Sequence, residues 1–211
     1  MSKVTAIKAG KRAVKRVNIY LDGKFSFSLD AELALKEGLH IGQELSNSQI
    51  DALARSDNVE RCLNAAHRYL GYRPRSESEL RGRLNRRGFE GATVEAVIAR
   101  LKEQGLVDDV AFAEFWKENR EAFSPRSQWL TSQELRRKGV DVGVIEKVVS
   151  GTSDEDNAYR AALSKARRLP VADYEGFRRR LGGYLQRRGF DYGVISRTIR
   201  RVWQELGGAV S

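Results

Sequence analysis

The chain has 211 residues, 41 % apolar and 31 % charged, with 38 Lys and Arg against 28 Asp and Glu for a net charge of +10. That composition can bury cores and argues against wholesale disorder, while the longest uncharged run, seven residues from Ser127 to Gln133, falls far short of the ~20 apolar residues of a membrane span. One cysteine, Cys62, beside two histidines, His40 and His67, excludes a disulfide framework and a zinc site of the usual Cys/His type.

Six of the first sixteen residues are basic, but no apolar segment of the secretory kind follows them, so a cytoplasmic protein is expected. No GxSxG, GxxxxGK[ST] or GxGxxG motif occurs. The expectation is therefore a protein that is not an enzyme and needs no cofactor. Most of the positive charge is C-terminal, with +7 in residues 161–211. A field of that sign favours a polyanionic partner, either nucleic acid or an acidic protein surface.

Residues 1–16 alternate small and basic types without a stable apolar face and read as a frayed arm, with a strand possible from Val4. A period of two follows: Val17, Ile19 and Leu21 alternate with polar neighbours, and Phe25, Phe27 and Leu29 resume the alternation beyond Asp22-Gly23. This predicts a β-hairpin. A two-residue turn would split the apolar faces, so a three-residue Leu21-Asp22-Gly23 loop is expected, pairing Ile19 with Phe25 and Val17 with Phe27, with Gly23 in the left-handed position of a bulge. The apolar face must dock on something. The short helices that follow, Asp30–Glu37 and Ser46–Arg55, are the simplest choice.

From residue 57 the chain repeats itself. Leu84-Asn-Arg-Arg-Gly88-Phe89, Leu135-Arg-Arg-Lys-Gly139-Val140 and Leu185-Gln-Arg-Arg-Gly189-Phe190 share a Leu-x-Arg-basic-Gly-apolar pattern at intervals of 51 and 50 residues. Buried-type residues recur six, nine and ten positions after each glycine, and Pro-Arg-Ser stands ahead of the first two glycines at 74–76 and 125–127. In the third copy Pro170 lies about five residues farther back than the pattern predicts. Each unit reads as three helices: 57–72, 76–87 and 92–104; 109–123, 126–138 and 141–150; 154–168, 173–188 and 191–206. The predicted fold is mainly α: an N-terminal β-hairpin with short helices (1–56), then three tandem three-helix repeats (57–106, 107–152 and 153–211) in an elongated, curved array. Ser76-x-x-Glu79 is a capping box, and Asp108 can cap the fourth repeat helix.

The candidate partner-binding residues are basic. Arg81, Arg83, Arg86 and Arg87 lie in the first repeat; Arg136, Arg137 and Lys138 in the second; Arg178, Arg179, Arg180, Arg187, Arg188, Arg197, Arg200 and Arg201 in the third. Those before each glycine also suit the negative end of a helix dipole, which accounts for part of the pattern without any ligand. Asp108, Asp109 and Glu114 could suggest a metal, but helix capping is the better reading of the two aspartates, and no metal is expected. The aromatic residues, Trp116, Trp129, Trp203, Phe112, Phe115, Tyr174, Phe177 and Tyr184, fall mostly at helical spacings and read as core rather than as base-stacking platforms. Cys62 reads as helix packing.

Three segments, Arg75-Ser-Glu-Ser-Glu79-Leu80, Gly105-Leu-Val-Asp-Asp109-Val-Ala-Phe-Ala113 and Gln133-Glu-Leu-Arg-Arg-Lys-Gly139-Val140, occur in this order within tandem three-helix units. Over about residues 57–206 the chain thereby resembles the RecX family of bacterial regulators of the RecA recombinase. The resemblance implies a non-enzymatic modulator that binds RecA filaments along their groove and inhibits filament growth, ATP hydrolysis, strand exchange and co-protease activity; a monomer is expected. Recombinational DNA repair and the SOS response would be modulated in consequence. Single- or double-stranded DNA is a further candidate partner, and no membrane is involved. The rival reading is a DNA- or RNA-binding protein acting without RecA; a nuclease stands a distant third.

Overall fold

The computed structural model describes residues 1–10, 15–170 and 173–206. Its N-terminal part is a four-stranded antiparallel sheet of β1 (Ser2–Ala9), β2 (Arg16–Leu21), β3 (Lys24–Asp30) and β4 (Glu44–Leu45), in the order β3-β2-β1-β4, so residues 2–9 are an inner strand hydrogen-bonded on both sides and not the frayed arm expected. The hairpin forms, but in a different register from the one expected. Leu21 pairs with Lys24 across a two-residue Asp22-Gly23 turn whose φ values of 50° and 82° are those of type I′. A bulge at Ser26 then corrects the facing: Tyr20 pairs with Phe25, whereas Ile19 pairs with Phe27 and Val17 with Leu29. The expected pairs Ile19–Phe25 and Val17–Phe27 are thus replaced. Phe25 is left exposed, edge-on to Tyr20.

The apolar face of the sheet, with Val4, Ile19 and Leu29 fully buried, packs on α1 (Ala31–Lys36) and the start of α2 (Asn47–Leu70) through Leu33 and Leu53. Asp30 caps α1, and Ser46 with Gln49 forms a capping box on α2. The two helices expected at 46–55 and 57–72 are one helix of 24 residues. Ser56, Asp57 and Asn58 are weak helix formers, but the buried Asp57 carboxylate takes Arg16 at 2.9 Å and the backbone N–H of Asp30 at 2.9 Å. Those contacts hold the helix through a stretch that local propensity would break.

The remaining helices are α3 (Glu77–Asn85), α4 (Gly91–Glu103), α5 (Asp109–Phe123), α6 (Gln128–Arg137), α7 (Val142–Val149), α8 (Asp154–Ala166), α9 (Tyr174–Arg187) and α10 (Tyr192–Glu205). Met1–Arg73 with Leu80–Leu106 make one compact unit, and Pro74–Glu79 with Val107 onward make a second. In the first, Cys62, Leu80, Leu84, Val94, Val97 and Leu101 are fully buried. The second has two three-helix cores. One joins α5, α6 and α7 around Phe112, Leu135 and Ile145; the other joins α8, α9 and α10 around Ala162, Phe177, Leu181 and Val202.

The repeated Leu-x-Arg-basic-Gly-apolar pattern is a helix stop. Phe89, Val140 and Phe190 each return their N–H to the carbonyl of Leu84, Leu135 and Leu185, and the preceding glycine returns its own to Asn85, Arg136 and Gln186. This is the Schellman motif, which needs a left-handed residue before the apolar one; Gly88, Gly139 and Gly189 have φ of 84°, 76° and 87°. The leucine and the closing apolar residue are the hydrophobic pair of the motif, and all three leucines are fully buried.

Candidate partner-binding surface

The helix stops place the basic residues before each glycine in two classes. Arg86, Arg87, Arg136, Arg137 and Arg187 point into solvent and have no ion pair among the described residues. Lys138 and Arg188, the last basic position of the second and third copies, are half-buried and engaged. Lys138 Nζ lies 2.6 Å from Glu79 Oε1 and 4.2 Å from the centre of the Trp116 ring. Arg188 Nη1 donates to the Pro125 carbonyl at 2.8 Å and to Ser124 Oγ at 3.1 Å, and its guanidinium lies over Tyr184.

These contacts belong to a junction that occurs twice in the second unit. Ser76 donates its hydroxyl to the Lys138 carbonyl at 2.6 Å, and Glu77 N–H donates to Asp109 Oδ1 at 2.8 Å. In the next copy Ser127 N–H donates to the Arg188 carbonyl at 3.0 Å, and Gln128 N–H donates to Asp154 Oδ1 at 2.7 Å. Ser76 and Ser127, both fully buried, also cap their own helices through Glu79 N–H and Leu130 N–H. The Pro-Arg-Ser segment is therefore a docking element as well as a helix start. Asp108 caps α5 as expected, through the N–H groups of Val110 and Ala111, but Asp109 satisfies the start of α3 instead of its own helix. Burial pushes the Asp154 carboxyl above its ordinary range, with repulsion from Glu155 and Asp191 adding to the rise and the Gln128 N–H opposing it.

Beside the junction, the Glu134 carboxylate gathers Arg120 at 2.7 Å, Arg126, and the Trp116 indole N–H at 2.8 Å. Burial lowers the pKa of both guanidinium groups, and for Arg126 repulsion from Arg120 and Arg188 lowers it further. This is a packing network of mixed charge.

The third copy carries the densest exposed positive surface. Arg179, Arg180 and Arg200 are exposed with no ion pair among the described residues. Arg178, Arg197 and Arg201 are also exposed but each holds a carboxylate: Glu175 at 2.7 Å, Glu155 at 2.9 Å and Glu205 at 3.0 Å. Between α9 and α10 lies a groove of about 460 Å³ with Gly182, Ile195 and Ile199 in its floor and Arg178, Arg179 and Tyr192 at its edge. Tyr192 is 80 % exposed, which no helix-packing role explains. In the first copy Arg81 pairs bidentately with Glu95, and Arg83 lies over Tyr69.

The aromatic residues divide. Phe112, Phe177 and Trp203 are core, but Trp129 is 63 % exposed, contrary to the core reading, because α6 turns only Thr131 and Leu135 fully inward. Cys62 is buried and burial raises its thiol pKa, as packing requires. Among the described residues no group of three or more His, Cys, Asp and Glu side chains could hold a metal, and no helix is long and apolar enough to cross a membrane.

Family models match at three places: the regulatory protein RecX N-terminal domain at residues 2–46, the RecX first three-helix domain at 62–101 and the RecX third three-helix domain at 153–199. The regulatory protein RecX of Clostridium perfringens strain 13 is 32 % identical over 207 residues, 96 % of this chain and 97 % of that one. The chain belongs to the RecX family. The regulatory protein RecX of Bacillus subtilis strain 168 is 30 % identical over 211 residues, covering 97 % of this chain and 79 % of the other. A crystal structure of regulatory protein RecX superposes with a TM-score of 0.67 at 27 % identity, covering 93 % of this chain and 98 % of that one. RecX from Lactobacillus salivarius, at 22 % identity and a TM-score of 0.59 over 70 % of this chain, shares the fold. RecX proteins are regulatory proteins by name, and the helical repeats seen here are those of the family.

Within this RecX chain, sequence reasoning found the exposed arginines but not the groove or the junction residues Asp109 and Asp154. Asp109 and Asp154 open the first helix of successive copies, and that shared position was the one available signal. The groove had none, since its residues come from two helices and their separation is a packing property.

Proposed function

We propose that this chain binds filaments of the RecA recombinase in the cytoplasm and restrains them, lowering ATP hydrolysis, strand exchange and co-protease activity and so modulating recombinational repair and the SOS response. Family membership supports the regulatory part of this reading. The observation that carries the contact is on α9 and α10, where Arg179 and Tyr192 edge the apolar groove and Arg179, Arg180 and Arg200, the last two outside the groove lining, are exposed with no ion pair among the described residues. Free cations steer a protein to an acidic surface, and an apolar recess with an exposed aromatic ring supplies the anchor that cations alone lack. No chemical step is needed: a protein that occupies a filament surface blocks turnover by being there. The repeats at 57–106, 107–152 and 153–211, behind the N-terminal region 1–56, would each contribute contacts to a periodic partner, and contacts linked in one chain reinforce one another. Arg136, Arg137 and Arg187, which have no ion pair among the described residues, can join them, whereas the Lys138 side chain holds Glu79 and the Arg188 side chain holds the Ser124 hydroxyl and Pro125 carbonyl.

The test titrates the protein against pre-formed RecA filaments, following ATP hydrolysis and co-sedimentation together. The wild-type chain inhibits and pellets with the filament. Replacing Arg179, Arg180 and Arg200 by Glu raises the concentration for half-inhibition about tenfold or more, since three contacts are reversed at roughly 0.5 kcal/mol or more each. A wild-type chain that leaves turnover unchanged refutes the reading; full inhibition by the variant refutes the placement of the contact.

A further inference from the structure

The first copy of the repeat differs from the other two at one position. Lys138 and Arg188, just before their glycines, grip acceptor groups beside or within a preceding Pro-Arg-Ser segment: the Glu79 carboxylate three residues after Ser76 in one case, the Pro125 carbonyl and the adjoining Ser124 hydroxyl in the other. Arg87 stands at the same position before Gly88 and has no acceptor among the described residues. It lines a recess of about 720 Å³ within the first unit, in which α2 also presents Arg61 and Arg68 and the end of the basic arm presents Lys15. Arg61 and Arg68 are seven residues apart, on one face of the helix, and with Lys15 and Arg87 they are exposed. The acidic group of the recess, Asp30, is engaged in capping α1 through Glu32 N–H at 3.0 Å. One wall is held rigidly: Arg16 is tied to Asp57 and to the Ser28 carbonyl at 2.6 Å. Two planar rings, His67 and Phe89, share the recess with the cations.

We infer that this recess binds the backbone of a single-stranded nucleic acid, with Arg61, Arg68, Arg87 and Lys15 on phosphates and His67 and Phe89 against bases. Four cations converge there from three parts of the chain with little carboxylate to neutralise them, so the ligand is polyanionic. The rings decide its class. Phosphates alternating with flat bases match cations interleaved with rings, as in single-strand binding grooves, whereas an acidic peptide offers nothing planar at regular spacing. A recess of this volume lies in the range of about 300–1,000 Å³ that encloses small ligands, which suits nucleotides of one strand and not a duplex. The site is separate from the α9–α10 face and does not depend on the recombinase reading.

The experiment measures fluorescence anisotropy of a labelled oligo(dT) with the full chain over a series of salt concentrations. The wild-type chain binds, with an affinity that falls steeply with salt. Arg61→Glu with Arg68→Glu weakens binding tenfold or more. Arg61→Gln with Arg68→Gln weakens it less and lowers the slope of log K against log salt by about 1.4, two phosphate contacts at ~0.7 each. His67→Ala weakens it about fivefold, the low end of a lost stacking contact. Arg179→Glu with Arg180→Glu and Arg200→Glu leaves the oligonucleotide affinity within about twofold, so this site and the filament contact fail or succeed separately. Circular dichroism confirms that each variant is folded. No binding by the wild-type chain, unchanged affinity and slope in the Arg61/Arg68 variants, or displacement of oligo(dT) by poly-glutamate at equal charge concentration would each overturn the inference.

Discussion

Replacing Gly189 by Ala and, separately, Gly88 by Ala tests whether the repeated helix stop also serves as a docking surface. Both glycines occupy the same place in the same motif with nearly the same φ, 87° and 84°, so an added Cβ meets the same backbone penalty, about 1–2 kcal/mol for a left-handed alanine. Their surroundings differ. A Cβ at Gly88 would find nothing within 4 Å, whereas one at Gly189 would lie 2.5 Å from Ser127 Oγ and 2.7 Å from Leu130 Cβ. Neither neighbour can turn aside, because Ser127 is buried and its hydroxyl caps α6 while its N–H is bonded to the Arg188 carbonyl. Relieving the clash requires the start of α6 to move from the end of α9, at about 1–3 kcal/mol more. Gly189→Ala should therefore cost about 2–5 kcal/mol against about 1–2 for Gly88→Ala. Urea unfolding followed by far-ultraviolet circular dichroism and by tryptophan fluorescence measures both; Trp116, Trp129 and Trp203 all lie in the second unit, so fluorescence reports on the unit that holds Gly189. The Gly189→Ala midpoint should fall by about 1–2 M for a urea dependence of ~1–3 kcal/mol per M. A Gly189→Ala loss by fluorescence no larger than the Gly88→Ala loss by circular dichroism would show that the stop is only local and that the junction carries no stability.

Three further outcomes follow from the same contacts. Lys138→Ala should cost about 1–2 kcal/mol by loss of its half-buried pair with Glu79 and its place over Trp116, while Arg136→Ala and Arg137→Ala stay within about 0.5 kcal/mol; thermal melts of the three variants decide it. Asp57→Ala should cost about 3 kcal/mol, since Arg16 and the Asp30 N–H lose a buried acceptor, and circular dichroism should detect loosening of the first unit. For Asp154 the folded carboxyl titrates above its unfolded value. Its contribution is fully present below the unfolded pKa and is lost as pH rises through the raised one, so Asp154→Asn should flatten that part of the stability–pH curve in a denaturant series. Asp154→Ala should instead lose about 1–2 kcal/mol at neutral pH by leaving Gln128 N–H without its acceptor; equal stability of the Asn and Ala variants there would count against the junction.

Much of this architecture could be read without coordinates, for identifiable reasons. A glycine forced into the left-handed region, a leucine four residues earlier and an apolar residue just after it must stand in fixed order for a helix to end that way, so three copies of the motif announced three helix ends. The buried stripes on α4, α7 and α10 were equally legible, because one face of a helix repeats every three or four residues. The hairpin was foreseen but its register was not. Two local requirements conflicted, the preference of Asp-Gly for a type I′ turn and the need to keep Ile19, Phe27, Val17 and Leu29 on one side, and the chain met both with an extra residue at Ser26. Helix α2 crosses Ser56–Asn58 for a reason that lies 41 residues away, at Arg16.

Among the arginines the division was sharper. Sequence alone determined that the charge is there, that it recurs, and that it clusters toward the C-terminal end, since these are properties of composition and period. Only tertiary structure decided which cations already hold a carbonyl or carboxylate, as Arg188, Lys138 and Arg197 do, and which have no such partner among the described residues, as Arg87, Arg179 and Arg200 do. An ion pair between residues tens of positions apart depends on helix packing to within an ångström or two, and no periodicity in the chain encodes that distance.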